Sequence, residues 1–414
     1  MAVAVVAVLA LLAATVVVVA SGDGDDDVAG GAPTTETTSD PGPSSTSPTT
    51  AAPGEELTEA ELQTLVEELQ AYVAEARGLE YQRDVVVELA DDDEFEARLL
   101  EDFEEDIGEI EDVEVFYRAL GLLDAETSLL DELRAIYSAG VLGFYDPETD
   151  ELVVRGLSAT PYVRKTIVHE LVHALDDQHF ELHREQYDEE KDEIATGFSA
   201  VVEGNARRIE QAWLGEQPAD VREQADAEER AFADGIDVDA FPEILLFEIG
   251  APYELGQIFV GALVSQGDER AVDAALTDPP RTSEQVLFPP LYEQREARIE
   301  VPVPPADGEV VDDGVVGALF WFGLLTTGDS EVGPQDAFRA VQGWGGDWAV
   351  TWEDGDADCV RVDVVGDTDD DTDEIERALT AWAEGSEAAQ VSTVDGRVRM
   401  ESCVGGAGAV PPQV

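Results

Sequence analysis

Two histidines four residues apart, in a segment whose only charged side chain is one glutamate, constrain this chain more than any other sequence feature. Residues 166–175 read Thr-Ile-Val-His-Glu-Leu-Val-His-Ala-Leu. On an α-helix, positions four apart differ by about 40° around the axis, so His169 and His173 can aim imidazole nitrogens at one metal ion. Glu170 can reach a water molecule on that ion. We expect a buried helix that turns only this triplet towards a cleft.

The alternative is a buried helix with two hydrogen-bonded structural histidines. The chain has only four histidines, and a chance His-Glu-x-x-His match is expected in about half a percent of such sequences. The metal interpretation is therefore favoured. Zinc lowers the pKa of a bound water to about 7 and polarises a carbonyl. The pattern predicts a Zn2+ site with His169 and His173 as ligands and Glu170 as the catalytic base.

Catalytic zinc usually has three protein ligands, and the sequence offers three candidates for the third. Glu203 is favoured because it lies in an apolar helical stretch, thirty residues after the second histidine. His179 lies six residues after His173, which is the spacing found in metzincins. On a continued helix, however, its side chain would point away from His173. Asp176 lies on the same helical stripe as His169, one turn beyond His173, but its side chain is short. The alternative role for Glu203 is a helix carboxylate paired with Arg207 or Arg208.

The segments around these residues resemble the zincin superfamily of metallopeptidases. His-Glu-x-x-His on one helix and Glu203 on the next is the gluzincin pattern, similar to predicted exported metallopeptidases of bacteria and haloarchaea. The likeness extends from Tyr81 to about Trp352. It includes 169–180, Val-Glu-Gly-Asn-Ala at 202–206, Pro-Arg-Thr-Ser-Glu-Gln-Val-Leu at 280–287 and Gly-Trp-Gly-Gly-Asp at 343–347. The resemblance implies a zincin-like α+β domain that hydrolyses peptide bonds with zinc.

The resemblance also implies roles for residues near the motif. A hairpin over 141–155 precedes the active helix, and its second strand, Glu151 to Arg155, would be an edge strand that pairs with an extended peptide. Asp177 would orient a ligand histidine, unless it is an ordinary helix-end aspartate.

The residue that stabilises the oxyanion is not apparent from the sequence. By chemistry alone the candidates are His183, Tyr187, Tyr292 and Arg281. Residues 283–285 follow two prolines and are interpreted as the structural start of a helix.

Four regions are expected along the chain. Residues 1–20 are an apolar run, either a signal peptide or an uncleaved membrane anchor long enough to cross a bilayer as a helix. Residues 21–54 are a low-complexity Thr/Ser/Pro stalk without the means to bury a core. Residues 55–342 form the zincin-like domain. Residues 343–414 form a small α/β extension of strand, helix and strand.

The fold class expected from apolar periodicity is α+β. Helices are predicted over 57–76, 94–104, 113–122, 126–138, from 160 through the motif, 196–214, 221–233, 241–265, 315–326 and 372–384. Strands are predicted over 84–89, 141–145, 151–155, 348–352, 359–365 and 397–403. Cys359 and Cys403 lie in alternating segments and are either a disulfide between neighbouring strands or two free thiols.

The formal net charge is −71, with 94 acidic and 23 basic residues. Such a charge repels phosphate backbones, so nucleic acid is excluded as a partner. At molar salt the Debye length is about 3 Å, and self-repulsion becomes small. We therefore interpret the acidity as adaptation to high salt.

The leading hypothesis is a zinc endopeptidase that hydrolyses peptide or protein substrates outside the cell at high salt. The alternative is an inactive zincin-fold surface protein with a structural or binding role. A third hypothesis is a protease that sheds neighbouring stalked proteins. The sequence leaves the substrate preference and the oligomeric state open.

Overall fold

The computed structural model describes residues 13–16, 57–100, 107–188, 190–328, 330–386 and 388–405. The predicted stalk over 21–54 and most of the apolar run over 1–20 lie outside these residues. The described chain is α+β, as the sequence predicts.

Eight of the described α-helices lie before residue 234. They are α1 (Glu59–Arg77), α2 (Asp92–Leu99), α3 (Ile107–Ala119), α4 (Leu129–Gly140), α5 (Pro161–Phe180), α6 (Glu185–Asp188), α7 (Ile194–Glu216) and α8 (Ala219–Ala233). The helices that follow are α9 (Glu243–Gly267), α10 (Glu269–Thr277), α11 (Ser283–Leu287), α12 (Pro289–Gln294), α13 (Ala318–Thr326), α14 (Pro334–Gln342) and α15 (Asp369–Glu384).

The strands form two sheets. They are β1 (Ala13–Val16), β2 (Val87–Ala90), β3 (Val141–Asp146), β4 (Glu151–Arg155), β5 (Glu309–Gly314), β6 (Trp344–Asp354), β7 (Ala357–Gly366), β8 (Ala389–Val394) and β9 (Arg397–Gly405). The elements predicted from periodicity are present with shifted ends. Strands β5 and β8 and helices α6, α10, α12 and α14 are additions that the sequence analysis did not predict.

The first sheet has the strand order β1-β3-β4-β2. Strand β4 pairs with β3 on one side and, in parallel, with β2 on the other. The prediction that Glu151 to Arg155 is an edge strand open to a peptide is therefore wrong, because both of its edges already carry backbone hydrogen bonds. Ala13–Val16 pairs with β3 as a strand instead of continuing the predicted apolar helix. Valine is β-branched, and a strand here pairs the backbone groups of the β3 edge.

The second sheet has the order β5-β6-β7-β9-β8. Strand β5 precedes residue 343, so the predicted C-terminal extension shares its sheet with the preceding region. One apolar core also joins them: Phe116 and Phe320 belong to the same buried cluster as Val362. Cys359 and Cys403 face each other on β7 and β9 and form a disulfide.

Helix α5 carries the histidine motif and is enclosed by the elements around it. Thr160 caps its N-terminus by accepting a hydrogen bond from the Val163 amide, and Pro161 occupies the first turn, as predicted. All residues from 165 to 177 are buried. The helix is covered by β3 and β4 and by α1, α7 and α8. A helix enclosed on all sides explains why its central stretch, residues 166–175, carries no charged side chain other than Glu170.

Helices α7 and α9 cross in backbone contact. A Cβ placed on Gly204 would overlap the backbone of Gly256, and a Cβ on Gly256 would overlap the carbonyl of Ala200. Only glycine permits this approach. Helix α9 is long and apolar enough to cross a membrane, but 61% of its most apolar window is buried inside the protein. It packs on α7 as a core helix.

Glu248 of α9 is buried and accepts a hydrogen bond from the hydroxyl of Tyr117. Burial raises the pKa of Glu248 from 4.5 to about 8. A raised carboxyl pKa means that the folded state holds the proton more tightly than the unfolded state. The contribution of Glu248 to the free energy of unfolding is therefore fully present below about pH 4.5, and it is lost as the pH rises to about 8.

We expect Glu248→Gln to remove this part of the pH dependence, because the amide is neutral at every pH and can still accept from Tyr117. The free energy of unfolding of the wild type should fall relative to the variant by up to about 1.4 kcal/mol per pH unit in that window. Denaturant titrations from pH 4 to 9 measure it. Parallel curves for the two proteins would contradict a neutral Glu248.

Candidate metal centre

The structure brings His169, His173 and Glu203 together. Nε2 of His169 lies 3.2 Å from Oε2 of Glu203, and Nε2 of His173 lies 3.5 Å from the same oxygen. The ligand atoms of the three residues all lie within 4.8 Å of one another. All three side chains are buried, and so is Glu170, whereas the sequence analysis expected the motif triplet to face a cleft. The helical spacing on α5 aligns the two imidazoles, and α7 supplies the carboxylate opposite them.

This group fits a metal ion. Within the described part of the chain, neither ring nitrogen of His173 makes a hydrogen bond, although the ring is completely buried. Leaving a buried polar side chain without a partner costs about 1–3 kcal/mol. Two imidazoles and one carboxylate are a common ligand set for a divalent metal ion with a position left open.

A second carboxylate holds the other side of the His169 ring. Nδ1 of His169 lies 3.1 Å from Oε2 of Glu210, which is also on α7 and is completely buried. Glu210 accepts a hydrogen bond from Arg207 at 2.6 Å and lies 3.8 Å from Nζ of Lys165. Such a carboxylate fixes the orientation of a ligand imidazole and increases its basicity. The carboxylate that contacts a histidine of the group is thus Glu210 and not Asp177.

The electrostatics of the group differ between its two histidines. Burial lowers the pKa of His169, but hydrogen bonds with Glu203 and Glu210 raise it to about 10, so both ring nitrogens donate to carboxylates. Burial lowers the pKa of His173, which is neutral at pH 7. Burial raises the pKa of Glu210, yet Lys165 and His169 bring it down to about 2. Metal ligation at Nε2 of His169 requires release of its proton.

Glu170 is buried one residue after the first histidine and acts electrostatically on His169. Strand β3 passes directly over it. A Cβ on Gly143 would lie 3.2 Å from Oε1 of Glu170 and 2.6 Å from Cγ2 of Thr166. Glycine at this position allows the strand backbone to lie against the carboxylate. Glu170 is therefore located between the metal group and the first sheet.

Two tyrosines that the sequence analysis did not select complete the surroundings. The ring of Tyr253 stacks on His169 with centroids 6.0 Å apart and planes 25° apart. Its hydroxyl hydrogen-bonds to Glu203 and interacts electrostatically with Glu170. Tyr137, at the end of α4, is close enough to Glu203 for that charge to raise its pKa. Burial is the larger cause of the raised pKa of both phenols, so both carry their protons.

The signal for Tyr253 was present but weak. It lies fifty residues after Glu203, on a different helix. The close crossing of α7 and α9 at Gly204 and Gly256 brings the two together, since Gly204 directly follows the glutamate. A glycine inside an apolar helix indicates close packing but does not identify the partner helix.

The other candidates for the third ligand lie elsewhere. Asp176 accepts hydrogen bonds from Arg77 at 2.8 Å and from Asn205 at 2.6 Å, so its carboxylate is already occupied. His179 donates from Nε2 to the carbonyl of Glu80 at 2.8 Å. Both residues belong to contacts that fix the C-terminal part of α5 to α1 and α7.

Asp177 does not reach a histidine of the group through its described hydrogen bonds. Its Oδ2 accepts from Tyr145 at 2.9 Å and from Arg83 at 2.8 Å, and its Oδ1 accepts from the amide of Leu182 at 2.9 Å. The expectation that it orients a ligand is therefore wrong. It ties the end of α5 to β3.

The four oxyanion candidates are not members of the metal group. Tyr187 accepts a hydrogen bond from Arg184, and Tyr292 donates to the carbonyl of Asp278. Arg281 is exposed and lies 3.9 Å from Asp192. His183 is half-buried just beyond α5. Residues 283–285 begin helix α11, as predicted, with Thr282 as its cap.

Comparison of the chain with protein-family models, with curated proteins and with solved structures finds no match. Function is therefore inferred from the residues and their geometry.

We expect Glu210→Gln to weaken zinc binding about 10–100-fold, because the amide no longer fixes and polarises the imidazole of His169. Competition titrations of the chelator-treated protein measure the dissociation constant. Glu229→Gln is the matched control, since Glu229 also pairs with Lys165, at 2.9 Å, but has no described hydrogen bond to the histidine. Equal weakening in both variants would mean that Glu210 acts only through Lys165.

Proposed function

We propose that this chain is a zinc-dependent metallopeptidase of the zincin type, with the gluzincin ligand pattern. The observation that carries the proposal is the convergence of His169, His173 and Glu203, with the buried carboxylate of Glu170 beside them. A purely structural histidine pair does not require two converging carboxylates, a third acid next to them and an imidazole without a hydrogen bond.

His169, His173 and Glu203 would hold the zinc, and Glu210 would fix the imidazole of His169. The bound zinc supplies Lewis acidity, which polarises the scissile carbonyl and lowers the pKa of the attacking water. These side chains are held in fixed positions because helices α5 and α7 are packed in the core. Rigid elements hold ligand geometry more accurately than loops do.

Glu170 is the general base. Its carboxylate takes the proton from the attacking water and returns it to the nitrogen of the leaving amine. Gly143 of β3 leaves room for the carboxylate, and the buried setting keeps bulk water away from the proton.

Tyr253 supplies the hydrogen-bond donor that the sequence did not reveal. Its protonated phenol lies beside Glu203 and within electrostatic reach of Glu170. A hydroxyl there can donate to the carbonyl oxygen as it becomes negative during attack. Removing one such donor typically lowers kcat about 10²–10³-fold.

The composition and the disulfide support action outside the cell in concentrated salt. Disulfides persist in oxidising compartments, and Cys359 and Cys403 are joined. The net charge of −71 is tolerable where salt screens it. The substrates would be peptides or proteins.

Glu170→Gln tests the proposed chemistry. The variant should retain one zinc per chain, because the ligands are intact, and should lose at least about 10³-fold in the hydrolysis of casein or a peptide library in molar salt. His173→Ala should lose the zinc as well. Zinc content and cleavage are measured on the same preparations. Folded, zinc-loaded wild type that cleaves nothing would favour the non-hydrolytic surface protein.

Tyr253→Phe should lower kcat about 10²–10³-fold with little change in KM or zinc content, because the lost hydrogen bond matters mainly in the transition state. Tyr117→Phe is the matched control, since Tyr117 is also a buried phenol bonded to a glutamate, Glu248. If Tyr253→Phe instead loses zinc, the hydroxyl positions Glu203 and does not act on the substrate.

A further inference from the structure

Two buried glutamates meet at the start of α7, apart from the metal centre. Glu193 is the residue before α7, and Glu284 is in the first turn of α11. The amide of Ser283 donates to Oε1 of Glu193 at 3.2 Å, which places the two segments side by side. Both glutamates belong to stretches that the proposed peptidase chemistry does not use.

Three oxygens at this junction have no hydrogen-bond partner among the described residues. They are Oε2 of Glu193, Oε1 of Glu284 and the hydroxyl of Thr196, which lies three positions beyond Glu193 in the first turn of α7. The exposed fractions of these residues are 1%, 4% and 4%. Buried polar groups nearly always have a partner, and an ion or ordered water is a common reason for one that is missing.

Three other buried carboxylates among the described residues are matched by hydrogen-bond donors or by basic side chains. Asp347 accepts hydrogen bonds from the amides of Val316 and Gly317 and from two tryptophan side chains. Asp176 pairs with Arg77, and Asp363 pairs with arginines of β9. The charged groups acting most strongly on Glu193 and Glu284 are instead other carboxylates.

Burial, reinforced by those carboxylates, raises the pKa of Glu193 to about 8 and that of Glu284 to about 9. Without a cation, these groups are therefore protonated at neutral pH. The backbone is nevertheless shaped around one of them. Gly317 has a φ of +89°, and a Cβ there would overlap Oε1 of Glu193. A residue with a side chain would thus exclude the carboxylate.

We propose that Glu193, Glu284 and Thr196 bind a calcium ion at the junction of α7, α11 and α13. Oxygen-only donors select a hard cation and disfavour zinc, which prefers nitrogen and sulfur. Calcium accepts irregular sets of carboxylate, hydroxyl and backbone oxygens, whereas magnesium requires a regular octahedron and retains its waters. The ion links the N-terminal end of the helix that bears Glu203 to α11.

The test measures the thermal unfolding of the full chain after chelator treatment, with CaCl2 or MgCl2 added at constant ionic strength. Calcium should raise the wild-type Tm by about 3–5 °C at saturating concentration, and magnesium should raise it less. Glu284→Gln should abolish the calcium response. Thr196→Val should weaken calcium binding without any change in charge, which keeps the proposal testable if Glu284→Gln folds poorly.

Glu248→Gln is the matched control, because Glu248 is equally buried, has a similarly raised pKa and lies outside the proposed site. It should retain the full calcium response. His173→Ala should also retain it, and Glu284→Gln should keep its zinc, which separates this site from the metal centre. A wild type without a calcium response, or a response unchanged in Glu284→Gln, would show that the two acids share protons or a water, and would overturn the proposal.

Discussion

The arrangement of this protein depends on the burial of two imidazoles and a carboxylate along one face of an enclosed helix. Buried polar groups must be matched by partners, or they destabilise the fold. Helix α7 provides the match with Glu203 and Glu210. These residues are seven apart, nearly two turns, so they lie on one face and hold both nitrogens of the His169 ring. One helix therefore both completes the ligand set and fixes its orientation.

The remaining contacts of the site follow from how closely the helices approach α7. Gly204 permits α9 to cross in backbone contact, and this crossing places Tyr253 against the histidine.

In a chain with 94 acidic and 23 basic residues, basic side chains lie beside buried acids. Lys165 is buried next to Glu210, and Arg77 is buried next to Asp176. These two cations stabilise carboxylates that are buried away from water.

The fold was predictable where the signal is local. The cap at Thr160, the start of α5 and the α+β class follow from periodicity and capping chemistry, which depend on neighbouring residues. The predicted edge strand over 151–155 was wrong because strand order depends on β2, a partner more than sixty residues earlier in the sequence. The shared sheet of β5 and β6 was likewise not apparent, since pairing across a loop leaves no periodic trace.

The sequence alone determined the chemistry that is available: two histidines on one helical stripe, an adjacent acid and a glutamate in an apolar helix. Helical geometry fixes these relations within a few residues, so they could be derived without a structure. Tertiary structure alone decided which distant side chains surround them. Glu210, not Asp177, lies beside His169, and Tyr253, not one of the four oxyanion candidates, stacks on the same ring. Both depend on how closely two helices pack, and that distance is set by the whole core.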